Sequence, residues 1–441
     1  MVAWSVFAFG GVYRWAGAPL VGAGGLLVAL ARPRIGYSRD TRLLDGAVLA
    51  ILAAVAVQLL PLPAAARALL SPAADATRAA LQLAPDGAPG WRSLSLAPGA
   101  TAYALALLAT GAAVFWTARQ ACARGATRPL IRAVAFIGLA VAVVAIVQAS
   151  SSSRLIYGRW LPQDVRAQPF GPFVNRNHFS TWVLMAFPLS AGYVAAAVGA
   201  HRQSQRFASE IAALLRGLGS SALWAALACG TMALSLVAAA SRAGLIAFGV
   251  SVACGAWMGR RRLTGRGRAL AAVALLLLAA FVVAYANFEM LLLRVEETLD
   301  VGAGGRPIIW RETLRIARDF PLAGVGLGGF RTAMLVYQEM DRTVFINQAH
   351  SQYLQWMTEG GLLLGAPAVA AIVAFVLLFR RRMARDRSAS VWLRIGAATA
   401  IVAVAVQSYW ETGLRMPANG LLFALAAAIA VHRPAESETN D

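Results

Sequence analysis

Two arginines, one histidine and a four-residue polar run are the parts of this chain best suited to chemistry. Arg242 stands between two apolar stretches in Ser241-Arg242-Ala243-Gly244. Arg306 opens Gly305-Arg306-Pro307-Ile308-Ile309-Trp310-Arg311. His350 heads His350-Ser351-Gln352-Tyr353, and Asn175-Arg176-Asn177-His178 follows Phe173-Val174. A guanidinium presents a planar fork of donors that can grip two phosphate oxygens together. An imidazole of near-neutral pKa is the natural general base for a sugar hydroxyl. Donors at the amino end of a helix attract anions through the dipole and the unpaired N–H groups. These types together suit an anionic phosphate-bearing substrate and a hydroxyl that must lose a proton.

Each piece also has a plainer explanation. Asn175 is a good helix N-cap whatever else it does. A lone interfacial arginine such as Arg242 commonly snorkels to lipid headgroups. From Pro307 the pattern predicts a helix with Ile309, Thr313, Ile316 and Phe320 on one face and Arg311, Arg315 and Arg318 on the other. Such a helix can lie on an anionic membrane surface. His350, with Leu354 and Met357 after it, can simply cap a packed helix face. Gly324-Val325-Gly326-Leu327-Gly328-Gly329 resembles a nucleotide loop only superficially, since no strand precedes it, and a tight turn after Pro321 is expected. His201 and His432 read as surface residues. No metal ligand set emerges, because His, Asp and Glu never cluster with ligand spacing. Without a metal, charge on a leaving diphosphate falls to arginine.

The elements that must position these residues are membrane helices. The chain has 441 residues, of which 59% are hydrophobic and only 14% charged. Soluble domains hold about 25% charged residues, and here the apolar residues fall into runs of about 20, the length of a bilayer crossing. Crossings are expected at 12–31, 43–60, 102–118, 130–149, 178–200, 221–240, 245–259, 269–287, 361–379, 391–410 and 418–432. The first ten residues can hold part of another, giving 11–12 in an all-α polytopic fold. The amino-terminal run lacks a basic leader region and reads as a retained segment. The three cysteines, Cys122, Cys229 and Cys254, suggest no disulfide. The net charge of +20 comes from arginine alone. Its spread over many short connections argues against nucleic acid as a partner.

Positively charged connections stay in the cytoplasm. Arg260, Arg261, Arg262, Arg266 and Arg268 make one such connection, and Arg380, Arg381, Arg382, Arg385 and Arg387 another. Alternation adds 32–42, 119–129 and 201–220 to that side, each rich in arginine. The segments 61–101, 150–177 and 288–360 then face the periplasm. All four chemistry-bearing segments share that face. The expected organisation is one transmembrane domain over 1–441, with a periplasmic loop at 150–177 and a longer, partly helical one at 288–360.

Five segments in order resemble the O-antigen ligase/polymerase family of bacterial inner-membrane glycosyltransferases: RSLSLAPGAT, FGPFVNRNHFSTW, SRAGL, GGRPIIWRETLRIARDFPLAGVGLGGF and HSQYLQWMTEGG. The resemblance spans about 90–430. It implies a fold of the GT-C type, a periplasm-facing site in the inner membrane, no cofactor, and an undecaprenyl-diphosphate-linked glycan as donor. Lipid A–core or a growing polysaccharide would be the acceptor, with membrane lipid the remaining partner. Carried over residue by residue, Arg242 and Arg306 would bind the diphosphate. His350 would deprotonate or orient the acceptor hydroxyl for inverting attack. Asn175, Arg176, Asn177 and His178 would line the cavity, with Trp310, Arg311 and Tyr353 completing the substrate-binding set. The resemblance favours an O-antigen ligase. A polymerase of O-antigen or exopolysaccharide is the alternative, then a lipid-linked oligosaccharide flippase. A non-catalytic envelope scaffold also fits the residues.

Overall fold

The computed structural model describes residues 1–36, 38–81, 90–151, 154–164, 167–204, 220–263, 305–339, 342–386, 388 and 390–433, with isolated positions between 265 and 284. Its helices are α1 (Val2–Phe7), α2 (Arg14–Ala31), α3 (Arg42–Val57), α4 (Ala64–Leu70), α5 (Ala74–Ala80), α6 (Pro98–Cys122), α7 (Thr127–Ser150), α8 (Arg176–Ser204), α9 (Ser220–Ala238), α10 (Arg242–Gly259), α11 (Gly305–Asp319), α12 (Phe330–Tyr337), α13 (Gln352–Arg385), α14 (Val391–Gln407) and α15 (Pro417–Val431). The described residues contain no strand, and the fold is all-α as expected. Among them, α2, α6, α7, α8, α9, α10 and α13 are long and apolar enough to cross a membrane, while α14 and α15 are shorter apolar helices. The chain is therefore a multi-pass membrane protein. A helix lies at every expected crossing except 269–287, which falls mostly outside the described residues, as do 205–219 and 288–304.

The most enclosed of the seven is α8. Phe179, Trp182, Val183, Leu184, Met185, Ala186 and Leu189 are all buried, so apolar side chains surround its axis rather than forming one stripe. Its crossing with α14 is tight because both helices carry glycine there. A Cβ on Gly192 would lie 2.5 Å from the Trp392 carbonyl oxygen, and one on Gly396 would lie 2.3 Å from that of Pro188. Small residues at such crossings let helices gain dispersion contact that lipid cannot supply.

One end of the bundle is closed by ion pairs. Arg119 donates to both carboxylate oxygens of Asp45 at 2.7 and 2.8 Å, and Trp116 adds an indole N–H at 2.9 Å. Fully buried Arg394 pairs with Asp386 at 3.4 Å and donates to the Ala430 and His432 carbonyls. Arg382 reaches Asp40, and Arg262 donates to the Asp386 carbonyl. These residues come from segments that charge alternation groups on one side. His432 corrects an expectation: it is buried, not on the surface, with its Nδ1 2.6 Å from the Ile429 carbonyl oxygen. The last turn of α15 is held by Arg394, which donates to the Ala430 and His432 carbonyls.

At the other end α13 is broken. Gly361 has φ +54° and ψ −154°, which ends one helical stretch and starts the next. A break strands carbonyls before it and N–H groups after it, and near a bilayer these cannot be left unpaired. The segment ahead of α12 fills the gap. Val325 N donates to Thr358 O at 2.9 Å and Gly326 N to Glu359 O at 3.1 Å. Leu362 N and Leu363 N donate to Pro321 O and Leu322 O at 2.9 and 2.8 Å. The expected turn after Pro321 is thus present, but it is wedged into a helix. Gly324 and Gly326 have φ +66° and +91°. A Cβ on Gly324 would meet the Glu359 backbone at 2.4 Å, and one on Gly326 would meet Ser95 Oγ at 2.2 Å.

Buried Gln58, just past α3, locks the wedge. Its Nε2 donates to Ala323 O and Glu359 O at 2.7 and 2.8 Å, and its Oε1 accepts from Leu327 N at 3.0 Å. Gln58→Leu leaves all three backbone groups without this partner, at roughly 1–3 kcal/mol per buried group. The melting temperature of the detergent-solubilised protein is expected to fall by roughly 5 °C or more. An unchanged melting curve would show that the wedge holds without Gln58.

Candidate functional site

The polar run before α8 is built as a helix start. Asn175 Oδ1 accepts the Asn177 N–H at 2.7 Å, so Asn175 is the cap that its type suggests. The turn is set further by Arg176 N donating to the Gln168 carbonyl at 2.9 Å. Arg176 and Asn177 are half-buried and His178 is buried. The backbone of this turn is anchored from below. Gln407 Nε2 donates to Asn177 O at 3.2 Å, and Asn419 Nδ2 to His178 O at 3.1 Å. Among the described residues, the His178 Nε2 atom has no hydrogen-bond partner.

The pattern read for α11 holds. Ile309, Thr313, Ile316 and Phe320 are buried, and Arg311, Arg315 and Arg318 are exposed. The apolar face packs on protein rather than on lipid, in one cluster with Phe330, Ala333, Met334 and Ile346. The described helix begins at Gly305, ahead of Pro307, so Arg306 lies within its first turn. Trp310 is half-buried, donates through Nε1 to the Ala349 carbonyl at 3.0 Å, and stands edge-on to Tyr409.

His350 follows Ala349 and therefore sits beside the start of α11. Its φ is +51°, in the left-handed region that a branched or bulky residue enters only when its surroundings hold it there. Burial first, and the Arg306 charge second, hold its pKa below the ordinary histidine value. The ring is thus neutral at neutral pH and keeps a lone pair. Tyr353, in the first turn of α13, is exposed and donates its hydroxyl to the Ala405 carbonyl at 2.7 Å.

Two charged residues that the sequence did not single out complete the group. Glu411 lies in the turn between α14 and α15, with its side chain only 3% exposed. Its Oε1 accepts from Arg306 Nη2 at 2.9 Å and from Asn177 Nδ2 at 2.7 Å, so one carboxylate ties α11 to α8. Arg415 approaches Glu359 at 3.6 Å, tying the same turn to α13. His178 lies within electrostatic reach of both His350 and Arg415. The turn itself is pinned by Gln352 N donating to Ser408 O at 2.8 Å and by a bond between Thr412 and Gln348. A signal for Glu411 and Arg415 did exist. They occupy the short connection after the 391–410 crossing, which charge alternation places on the same face as His350.

The structure therefore brings Arg306, His350, Arg176, Asn177 and His178 to one end of the bundle, around Glu411 and Arg415. Arg242 is exposed at the start of α10, whose Ser241 Oγ caps the Gly244 N–H at 3.2 Å. A Cβ on Gly244 would meet Ser180 at 3.0 Å, one turn along α8 from Arg176. Arg242 thus borders the same end. Arg311 stands apart from this group on the exposed face of α11. Among the described residues there is no cluster of three or more His, Cys, Asp or Glu that could hold a metal. What converges is a set of guanidinium groups, a neutral imidazole and a buried carboxylate. That set can bind a multiply charged anion and accept a proton beside it.

The family model described as O-antigen ligase matches residues 227–367. That stretch contains Arg242, Arg306 and His350, whereas Asn175–His178 and Glu411 lie beyond it. No curated protein matches the chain.

If His350 is held in the left-handed region for its ring, glycine should tolerate the backbone there and lose only the chemistry. His350→Gly is expected to keep the melting temperature within about 2 °C of the parent, because relief of about 1 kcal/mol of strain offsets the added chain entropy of glycine. A fall of several degrees would make the imidazole a packing element instead.

Proposed function

We propose that this chain, which belongs to the O-antigen ligase family, moves a glycan from an undecaprenyl-diphosphate carrier onto an acceptor hydroxyl at the periplasmic face of the inner membrane. At the coarser level it is a membrane glycosyltransferase of the ligase/polymerase type. The observation that carries the finer reading is the convergence of Arg306, His350, Arg176 and Asn177 from three separate segments around Glu411 in a fourth.

In this reading the carrier's diphosphate lies against Arg306, with Arg242 and Arg176 able to meet its other oxygens. Guanidinium groups held in place stabilise charge as it builds on the leaving diphosphate, and need no metal for it. The neutral ring of His350 orients the acceptor hydroxyl or takes its proton. The hydroxyl oxygen attacks the anomeric carbon opposite the departing diphosphate oxygen, so the configuration inverts. Trp310 and Tyr353 offer aromatic faces to sugar rings beside that point, and Asn177 and His178 complete the binding set, from which Arg311 stands apart. The donor's lipid tail remains in the membrane. Lipid A–core is the proposed acceptor, making this a ligase of lipopolysaccharide biosynthesis.

Transfer by purified protein in detergent tests this directly, with one lipid-linked repeat unit as donor and lipid A–core present or absent. Arg306→Ala and His350→Ala are each expected to reduce transfer at least 100-fold without loss of folded protein, about 3 kcal/mol of lost transition-state stabilisation. A chelator should leave the rate unchanged. Elongation of the repeat unit without lipid A–core would assign a polymerase. Full activity in both variants would refute the site.

A further inference from the structure

The pair at the centre of the site has an unusual division of exposure. The Arg306 side chain is 45% exposed, while that of Glu411 is 3% exposed. The arginine therefore faces the open side of the site and the carboxylate faces the protein. Only one nitrogen, Nη2, is bonded to Glu411 in this structure. A guanidinium has five donors in a fixed fork, so one N–H held from behind sets the direction of the others. Asn177 donates to the same oxygen and holds the carboxylate in turn. The fork is thereby aimed before any ligand arrives.

An arriving dianion meets a conflict. It is drawn to Arg306 but repelled by the carboxylate directly behind it. Both can be satisfied if the carboxylate becomes neutral, since a carboxyl group still accepts hydrogen bonds from Arg306 and Asn177 through its carbonyl oxygen. Resting on the glycan-transfer reading above, we propose that Glu411 is a positioning residue that holds Arg306 toward the carrier diphosphate, and that it takes up one proton from solvent when the diphosphate binds.

The surroundings of Glu411 support such a change. Burial raises its pKa to about 7, against the opposing pull of Arg306 and then Arg176. It is therefore already divided between its two forms near neutral pH, and a nearby anion would push it toward the protonated one. The charged and titratable groups around it are Arg306 from α11, Arg176 and His178 from α8, His350 ahead of α13, and Arg415 from its own turn, which pairs with Glu359 of α13. The arginines stay charged throughout. His350 and buried His178 are the other groups whose protons a bound anion could alter; a pH slope retained in Glu411→Gln would reveal either, and His350 is also controlled for directly.

The sign follows from linkage. Below pH 7 Glu411 is neutral before binding and the diphosphate meets no repulsion. Above pH 7 a proton must be acquired, so affinity falls as pH rises. The probe is a farnesyl-diphosphate-linked monosaccharide, whose diphosphate is esterified at both ends and does not titrate between about pH 6 and 8. Full-length protein in lipid nanodiscs is expected to bind it about tenfold more weakly at pH 8 than at pH 6. Glu411→Gln keeps a side-chain carbonyl for Arg306 and Asn177 but has no proton to gain. Its affinity should vary less than twofold over the same range and at pH 8 should match the parent at pH 6. Calorimetry of the parent at pH 7.5, in two buffers of different ionisation enthalpy, should show uptake of a substantial fraction of one proton. That uptake should persist in His350→Gln.

A parent affinity independent of pH, a pH slope retained in Glu411→Gln, or proton uptake lost in His350→Gln would each overturn the proposal and leave the glycan-transfer reading standing. If Glu411→Gln does not fold, the calorimetry on the parent and on His350→Gln decides alone. Failure of the parent to bind the probe better than it binds farnesol at any pH would overturn the transfer reading itself, and this proposal with it.

Discussion

The break in α13 is the constraint from which the site follows. A helix interrupted at the edge of a membrane must find partners for its stranded backbone groups, and here another part of the chain supplies them. The residues 321–326 are bonded on both sides of Gly361, which fixes the end of α11 relative to α13. Arg306 lies at the start of α11 and His350 just before α13. Their proximity is therefore a consequence of backbone pairing some distance from either side chain. Gln58 extends the same lock to α3, so three helices share one buried hydrogen-bonded seam.

The two ends of the bundle handle charge in opposite ways. At one end Asp45, Asp386, Arg119 and Arg394 are buried or nearly so, and the charges neutralise each other within the protein. Removing one member of such a pair leaves the other uncompensated, so these pairs specify how helix ends meet more than they add to stability. At the other end the pairing is lopsided. Glu411 is enclosed while Arg306 is half open, and Arg176, Arg242 and Arg415 add positive charge around them. The closed end fits a structural role, and the open end suits a binding one.

Much of the fold was legible because membrane helices announce themselves by run length and loop charge. The face of α11 was legible too, since Ile309, Thr313, Ile316 and Phe320 repeat with helical spacing and are all buried. Asn175 was readable as a cap from its type alone, and it caps. What was not legible depends on contacts between distant segments. The short helix read from His350 toward the membrane is present as the start of α13, but its junction with the crossing through the break at Gly361 was not legible, because it depends on backbone pairing with residues 321–326. His432 looked like a surface residue because nothing local says that its carbonyl accepts from buried Arg394. Glu411 was passed over because a single acidic residue between two apolar spans resembles an ordinary interfacial charge. Its meaning comes from Arg306 and Asn177, which are 105 and 234 residues away in sequence.

The length of α13 sets a height. Gly361 divides its 34 residues into two helical stretches, and only the one after the break is apolar enough to lie in the ~30 Å hydrocarbon layer. Its apolar part, from Leu362 to Phe379 ahead of the arginines at 380–382, covers roughly 27 Å, close to the thickness of that layer. The nine residues from Gln352 to Gly360 lie on the far side of the break, with His350 just ahead of them, at the edge of that layer. Under the proposed reading, a headgroup clamped at that level leaves whatever is attached beyond it free in water. The protein would then have no need to measure how long the attached chain is, and a short oligomer and a long polymer would look alike to it.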